Sequence, residues 1–123
     1  MSNEHIRLGQ YGELIARLFY EMHDVEVREV NWKCVFGEVD LIVRDEDCLV
    51  FCEVKTRRSV KSGIPEESVD RKKQERYIRC AQHYVREHGL YDRRIRFDVI
   101  AVYTQDTHEG KLRFIPNAFG EDT

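Results

Sequence analysis

The centre of the chain consists of two short apolar runs separated by charged residues. Asp40–Val43 and Leu49–Val54 are rich in β-branched side chains, whereas Arg44–Asp47 between them is too polar for a buried segment. The pattern predicts a β-hairpin with its turn at 44–47. Because successive side chains of a strand point to opposite faces, Glu53 and Lys55 are expected on one face of the second strand, roughly 6 to 7 Å apart.

Helical spacing of apolar residues predicts a helix on either side of the hairpin. The first covers residues 8–23, and the second runs from Pro65–Ser68 to about His88, with Gly89 as its C-terminal cap. The apolar stripe of the first helix is expected to pack on the sheet. This stripe consists of Tyr11, Leu14, Ile15, Leu18, Phe19 and Met22.

Three more strands are predicted. Val25–Trp32 alternates with one slip, which indicates a β-bulge, and Ile95–Tyr103 is almost continuously apolar, which is typical of a central strand. After a turn at Thr104–Gly110, Lys111–Ile115 forms a short last strand that Pro116 ends. The order α, β, β–β, α, β, β predicts an α/β domain, a central mixed sheet flanked by two helices.

Length and composition narrow the class of protein. The 123 residues, 41% of them hydrophobic, are expected to form one domain spanning 1–123. No apolar run approaches the roughly 18 residues of a membrane-spanning helix, and the first ten residues lack the apolar core of a signal peptide. We therefore expect a cytoplasmic protein without a membrane partner. The four cysteines show neither a CxxC pair nor zinc-ligand spacing, so reduced core residues are expected.

Charge is segregated along the chain, although the net charge is only −3. Residues 55–96 carry 13 Lys and Arg against 6 Asp and Glu, a local +7 that leaves −10 elsewhere. A basic segment that begins beside carboxylates suits a polyanion such as nucleic acid; the alternative is a solvated helix face. The candidate phosphate contacts lie in the loop after Lys55 and near the start of the second helix, and are Arg57, Arg58, Lys61, Lys72 and Lys73.

Two carboxylates meet in the hairpin if its turn has an even number of residues. With a Glu46–Asp47 turn, Asp40 lies directly opposite Glu53, with Cβ atoms roughly 4.5 to 5.5 Å apart. Like charges at that distance raise each other's pKa and destabilise a sheet unless a cation lies between them. Lys55 is one candidate cation and Mg²⁺ is the other. In a plainer alternative, Glu53 and Lys55 form an ion pair on a solvated edge strand.

Glu13 lies off the apolar stripe of the first helix, on the flank that also carries Gly9, Gly12 and Ala16. Small residues on that flank leave room for backbone or a ligand to approach. Gly12 requires such an explanation, because glycine costs about 1 kcal/mol in a helix interior. The alternative for Glu13 is a surface side chain that the helix macrodipole stabilises near the N-terminus.

These residues carry a resemblance to known families. Asp40, followed by Glu53-Val54-Lys55 at the end of the next strand, resembles the catalytic signature of the PD-(D/E)xK nuclease superfamily. An ordered set of segments resembles the small bacterial YraN family (UPF0102), which is similar to archaeal Holliday-junction resolvases. The set covers nearly the whole chain and comprises Gly9 to Glu13 with Ala16, GEVDLI at 37–42, FCEVKTRRS at 51–59, Ser68-Val69 with Lys73, and RFDVIAV at 96–102.

The resemblance implies a restriction-endonuclease-like core and Mg²⁺-dependent hydrolysis of phosphodiester bonds, with Mn²⁺ as a substitute. The implied metal ligands are Asp40, Glu53, the backbone carbonyl of Val54 and, directly or through water, Glu13. Lys55 completes the implied catalytic set by orienting the attacking water or stabilising the developing charge. Lys73 or Gln74 is expected to support the site, unless Lys73 is a lysine whose stem merely covers the helix edge.

The implied substrate is structured or branched DNA, and a homodimer would suit a symmetric junction. Two other functions remain open. The chain could bind nucleic acid without cleaving it, or act as a scaffold in which the charges only rigidify the sheet. The complete set of acids favours cleavage over binding alone, because carboxylates repel phosphate when no metal is present. Salt-sensitive DNA binding would argue against a scaffold.

Overall fold

A computed structural model describes residues 2–57, 69–104 and 111–120, with side chains from residue 7 onward. Within these ranges, two helices and five strands follow one another in the predicted order. They are α1 (Ser2–Met22), β1 (Glu26–Cys34), β2 (Gly37–Asp45), β3 (Cys48–Arg57), α2 (Arg71–His88), β4 (Arg94–Tyr103) and β5 (Lys111–Phe119). The predictions for Arg58, Lys61, Pro65–Ser68 and residues 105–110 fall outside the described residues.

The strands form one mixed sheet in the order β1-β2-β3-β4-β5. β3 and β4 are parallel, with α2 in the connection between them, and the other neighbouring strands are antiparallel. The two helices cover opposite faces of the sheet, since their buried side chains belong to two separate apolar clusters. The predicted α/β fold is confirmed, and its architecture is consistent with a restriction-endonuclease-like core. Neither described helix is long and apolar enough to cross a membrane.

The predicted hairpin and the slip in the first strand are confirmed, although the turn is shorter than the predicted 44–47. β2 and β3 pair with Leu41 opposite Cys52, and a two-residue turn at Glu46–Asp47 joins them. An even turn of this kind fixes which side chains of the two strands share a face. The slip predicted in the first strand is a register shift between Val27 and Glu29.

The buried face of α1 differs from the predicted one. Gly12, Ala16 and Tyr20, each four residues from the next, are buried, and Gly12 lies against the side chain of Thr56 in β3. The small residues let the helix approach the sheet closely at this point. The predicted packing of the apolar stripe is therefore wrong for four of its members, which are exposed: Tyr11, Leu14, Leu18 and Met22.

Helix α2 begins later than predicted, at Arg71. The side chain of Asp70 accepts a hydrogen bond of 2.8 Å from the backbone N–H of Lys73, and the backbone of Asp70 is extended. These are the features of an N-cap, so the predicted helix start is corrected to Arg71. The predicted C-terminal cap is confirmed, because Gly89 adopts the left-handed conformation with φ 63°.

Strand β5 passes through Pro116 instead of ending there. It is an edge strand, and its register with β4 shifts between the pairs formed by Phe97 and Val99. Proline is tolerated at an irregularity of an edge strand because its missing N–H is not needed for the ladder. The backbone N–H of the next residue, Asn117, donates to the side chain of Asp98 at 2.9 Å.

A buried hydrogen-bond network links α1 to β4, and the cysteines are unpaired as predicted, with Cys34 only partly buried. Asp98 is fully buried and pairs with the Arg96 guanidinium through contacts of 2.9 and 3.0 Å, and the Tyr20 hydroxyl donates a further bond of 2.8 Å to it. This network ties α1 to β4. All four cysteines are free, and the Cys34 and Cys80 sulfurs lie 3.5 Å apart between β1 and α2.

Candidate active site

The ends of β2 and β3 bring two carboxylates side by side. Extending the register of Leu41 opposite Cys52 by one pair places Asp40 opposite Glu53. Asp40 Oδ2 accepts a hydrogen bond of 2.8 Å from the backbone N–H of Val54, which holds the carboxylate against the end of β3. Glu53 is only 3% exposed. A nearly buried carboxylate therefore has a second carboxylate as its neighbour across the strands.

Helix α2 supplies two more groups to this site. The Asp70 cap sets where the helix begins, and Lys73 and Tyr77 then lie one turn apart on the side facing the sheet. The Lys73 ammonium forms an ion pair with Glu53 Oε2. The Tyr77 hydroxyl donates to Glu53 Oε1 at 3.2 Å and accepts from the backbone N–H of Asp40 at 3.4 Å. Each carboxylate oxygen of Glu53 is thus held by a group from α2.

The electrostatics of the site disfavour two negative charges. Burial is the largest of the causes that raise the pKa of Asp40 to about 8, followed by the hydrogen bond to Glu53 and its charge. The N–H of Val54 opposes this rise, and the charge of Glu13 adds to it. Burial also raises the pKa of Tyr77, so its hydroxyl remains a donor at neutral pH. A cation between the two carboxylates would relieve their repulsion.

Glu13 lies near enough for its charge to act on Asp40, but its side chain is hydrogen-bonded to Asn31. Its Oε1 accepts a hydrogen bond of 3.0 Å from Asn31 Nδ2 in β1, and its charge acts on Asp40. Within residues 2–57, 69–104 and 111–120, no group of three or more His, Cys, Asp or Glu is placed to hold a metal ion. Lys55 is partly buried, two residues after Glu53 and therefore on the same face of β3.

Two adjacent carboxylates have the ligand chemistry that a hard divalent cation prefers. Glu53 Oε2 is buried and receives no hydrogen bond from the described residues, so its charge partner is the Lys73 ammonium. With Asp40 beside it, the site offers the carboxylate oxygens that Mg²⁺ prefers. Asp40 and Glu53 would hold such an ion, with the Val54 carbonyl and Glu13 as the further predicted ligands. The ion would compete with Lys73 for the same oxygen of Glu53.

A cavity of about 220 Å³ opens onto these groups and is lined by Glu38, Asp40, Glu53, Lys73, Arg76 and Tyr77. Sequence reasoning did not find Tyr77, because an aromatic residue at helical spacing among apolar residues usually belongs to the core. Its position four residues after Lys73 is the signal that places a hydroxyl and an ammonium on one helix face. Glu38 and Arg76 add exposed charges of opposite sign to the lining.

The predicted phosphate contacts fall into three groups. Arg57, at the end of β3, and Lys72, in the first turn of α2, are exposed and face solvent. Lys73 is paired with Glu53 and belongs to the carboxylate site. Arg58 and Lys61 lie outside the described residues. Among the described members of the predicted set, Arg57 and Lys72 thus present an unburied charge to a ligand.

Comparison with known proteins places the chain among bacterial relatives. The family model described as "Uncharacterised protein family UPF0102" matches residues 12–102, which include Glu13, Asp40, Glu53, Lys55 and Tyr77. A UPF0102 protein of Beutenbergia cavernae is 46% identical over 95 residues, covering 77% of this chain and 80% of that protein. A UPF0102 protein of Desulforapulum autotrophicum is 37% identical over 122 residues, covering 99% of this chain and 100% of that protein.

Proposed function

This chain belongs to the UPF0102 family, and we propose that it is a metal-dependent endonuclease that hydrolyses phosphodiester bonds in structured or branched DNA. The supporting observation is the pair of adjacent carboxylates, Asp40 and the buried Glu53, beside an open cavity. Burying like charges together destabilises a fold unless a cation compensates them. A phosphodiester substrate brings a negative charge to the same place, so it too requires a cation there.

The residues of the site divide the work of hydrolysis. Asp40 and Glu53 would hold Mg²⁺, and the bound ion would supply polarisation of a phosphoryl oxygen and a lower pKa of water. Lys55 orients the attacking water or stabilises the charge that develops on the phosphate. Tyr77 keeps the Glu53 carboxylate in place through its hydrogen bond. Lys73, once separated from Glu53, is within the cavity and available to a phosphate oxygen.

A second candidate function is nucleic-acid binding without cleavage. One observation favours it, namely that the Lys73 ammonium already neutralises Glu53 in the absence of metal. In that case the ion pair closes the site and the basic segment alone holds DNA. The two functions differ in their response to divalent cations. A nuclease gains stability from Mg²⁺ by mass action, whereas a protein that does not bind Mg²⁺ keeps the same melting temperature.

The direct test is cleavage of linear, nicked, flap and four-way DNA, each with and without Mg²⁺ or Mn²⁺. We expect cleavage only with metal, and none by Glu53→Ala. Asp92→Ala is the matched control, because it removes an exposed carboxylate in the turn before β4. If the parent protein binds these DNAs but cleaves none of them, and Mg²⁺ does not move its melting curve, the binding function replaces the nuclease.

The role of Lys55 is tested separately from folding. Lys55→Met keeps most of the apolar stem and removes one positive charge near the carboxylates, so the metal-free variant should be somewhat less stable. Mg²⁺ should narrow that difference. We expect cleavage to be lost even when Mg²⁺ restores stability and DNA binding persists. A Lys55→Met protein that cleaves as fast as the parent would exclude the proposed role.

Phosphate binding by the segment after β3 is tested by salt dependence. Replacing Arg57 and Arg58 together by alanine should weaken binding to all DNA sequences and flatten the salt slope by up to about 2, one for each lost contact. Arg94→Ala is the control, since this exposed arginine lies at the opposite end of the sheet and pairs with Asp47. An unchanged slope in the double variant would place the phosphate contacts on α2 instead.

A cytoplasmic homodimer completes the proposal. Two active sites related by a two-fold axis suit the two strands of a symmetric junction. The exposed apolar residues Leu14, Leu18 and Met22 of α1 offer a face that a second copy could cover. Sedimentation should then show a dimer that Leu18→Glu converts to a monomer. A monomeric parent protein at the concentrations used for cleavage would remove the dimer from the proposal.

A further inference from the structure

A second cavity, separate from the carboxylate site, lies between the β1–β2 turn and the solvent face of α2. Its volume is about 200 Å³, and its lining consists of Phe36, Arg79, Gln82, His83 and Arg86. An aromatic ring, two guanidinium groups and a side-chain amide are groups that bind a nucleotide. The ring can stack on a base, the guanidinium groups can pair with phosphate, and the amide can bond to a base edge.

The cavity lies on a continuous stripe of basic residues along α2, the α2 stripe, formed by Lys72, Arg76, Arg79, His83 and Arg86. Their spacing of four, three, four and three residues keeps them on one side of the helix. Arg76 also lines the carboxylate cavity, so the stripe joins the two cavities. From Arg76 to Arg86 the helix rises about 15 Å, which is a span of a few nucleotides.

The charge and exposure of this surface favour an anionic partner. α2 carries six Lys and Arg against two Glu, Glu75 and Glu87, and Glu87 is paired with His83 at 2.8 Å. All four Lys and Arg residues of the α2 stripe are exposed. A chain of phosphates along the stripe would meet a net positive surface that leads toward the carboxylates.

Phe36 adds an aromatic ring, which a surface that binds only phosphate groups does not require. It is 40% exposed at the tip of the β1–β2 turn, and its ring meets His83 edge-on with centroids 5.9 Å apart. The remaining surface of the ring faces the cavity and solvent. A base in a continuous duplex is already stacked between its neighbours and cannot reach this ring without unpairing. An unpaired base reaches it without that cost.

We propose that the second cavity receives an unpaired nucleotide of a strand that runs along the α2 stripe. The inference rests on the proposed nuclease function and narrows its substrate class to DNA in which a single-stranded arm leaves a duplex, such as a flap. Phe36 stacks on the unpaired base, while Arg79 and Arg86 hold the flanking phosphates. The duplex arm then lies toward the carboxylate site, at the other end of the stripe.

The test measures DNA binding in EDTA, so that cleavage does not interfere. Fluorescence anisotropy compares a labelled flap duplex having a thymidine arm with a fully paired duplex of the same length. We expect the parent protein to prefer the flap, and Phe36→Ala to lose roughly 5- to 150-fold in flap affinity, the effect of one lost base stack, with little change for the duplex. Val35→Ala is the matched control, because Val35 is 83% exposed in the same turn and does not line the cavity.

Several results would overturn the inference. Equal affinity of the parent protein for flap and duplex would do so, as would an equal loss for both DNAs in Phe36→Ala. Competition by polyglutamate as strong as that by unlabelled flap would make the α2 stripe a general anion surface. Failure of the nuclease proposal looks different. A protein that cleaves nothing with Mg²⁺, yet discriminates flap from duplex through Phe36, would refute the nuclease and support the second cavity.

Discussion

Replacing Gly12 by alanine tests the close contact between α1 and β3 that holds Glu13 near the carboxylates. An added Cβ would lie 1.9 Å from Thr56 Oγ1, 3.0 Å from Thr56 Cβ and 3.2 Å from Thr56 Cγ2. Rotation of the Thr56 side chain can move the oxygen and the methyl group away. It cannot move the Thr56 Cβ, which is attached to the backbone of β3, so the helix or the strand must shift by a few tenths of an ångström.

Two opposing effects determine how much Gly12→Ala changes the free energy of unfolding. Alanine in place of glycine in a helix interior gains about 1 kcal/mol of stability. Overpacking of a close contact costs about 1 to 3 kcal/mol, and a contact with a backbone-linked atom falls in the upper part of that range. We therefore expect Gly12→Ala to lower the free energy of unfolding by about 1 to 2 kcal/mol, since the steric cost exceeds the gain in helix propensity.

Gly9 provides the matched control in the same helix. No atom lies within 4 Å of a Cβ built on Gly9, so Gly9→Ala should raise the free energy of unfolding by up to about 1 kcal/mol. Urea unfolding followed by circular dichroism measures both variants under identical conditions. Adding Thr56→Ala to Gly12→Ala removes two of the three contacts and should restore part of the loss. If Gly12→Ala stabilises the protein as much as Gly9→Ala does, the close packing of α1 is incorrect.

Three further predictions concern buried charge and hydrogen bonding. Lys73→Met should lower the free energy of unfolding of the metal-free protein by about 2 kcal/mol, as measured by urea unfolding. This is less than the roughly 3 to 5 kcal/mol lost when a fully buried ion pair is broken. Mg²⁺ should reverse much of the loss. Because the pKa of Asp40 is raised to about 8, the folded metal-free protein binds a proton that the unfolded chain has released above about pH 4. Its stability in EDTA should therefore fall from about pH 4 to about pH 8, and Asp40→Asn should flatten that dependence; equal slopes would contradict the raised pKa. Tyr20→Phe removes a buried bond of 2.8 Å and should lower stability by about 1 to 2 kcal/mol, whereas Tyr91→Phe at an exposed site should change thermal melting little.

The hairpin and its carboxylates could be predicted from the sequence because they depend on neighbours in the chain. Strand side chains alternate with a period of two, and a polar turn of two residues leaves a single register between the flanking apolar runs. If the turn is even, those two facts place Asp40 opposite Glu53, and the structure supplies the two-residue turn at 46–47. The bulge in β1 and the Gly89 cap are local in the same sense, since each depends on a few consecutive residues.

The resemblance implied that Lys73 or Gln74 supports the site, but only the tertiary structure gives the contacts that α2 makes there. Lys73 and Tyr77 are more than fifteen residues from Glu53 in sequence. Their sequence pattern fits a surface lysine and a core tyrosine as well as it fits two residues of the site. Whether they reach Glu53 depends on where α2 begins and on how it lies across the sheet. The Asp70 cap and the parallel pairing of β3 with β4, neither of which was predicted, decide both.

The apolar pattern by itself determined that α1 is a helix, but not which of its faces is buried. The predicted stripe is the more hydrophobic face, yet Leu14 and Leu18 are exposed, and the face of Gly12 and Ala16 packs on β3. The periodic pattern shows only which helix face is more hydrophobic. Which face is buried also depends on how closely the backbones of helix and sheet can approach. A helix lying against a sheet gains contacts where its residues are small, and only the assembled layers decide where that happens.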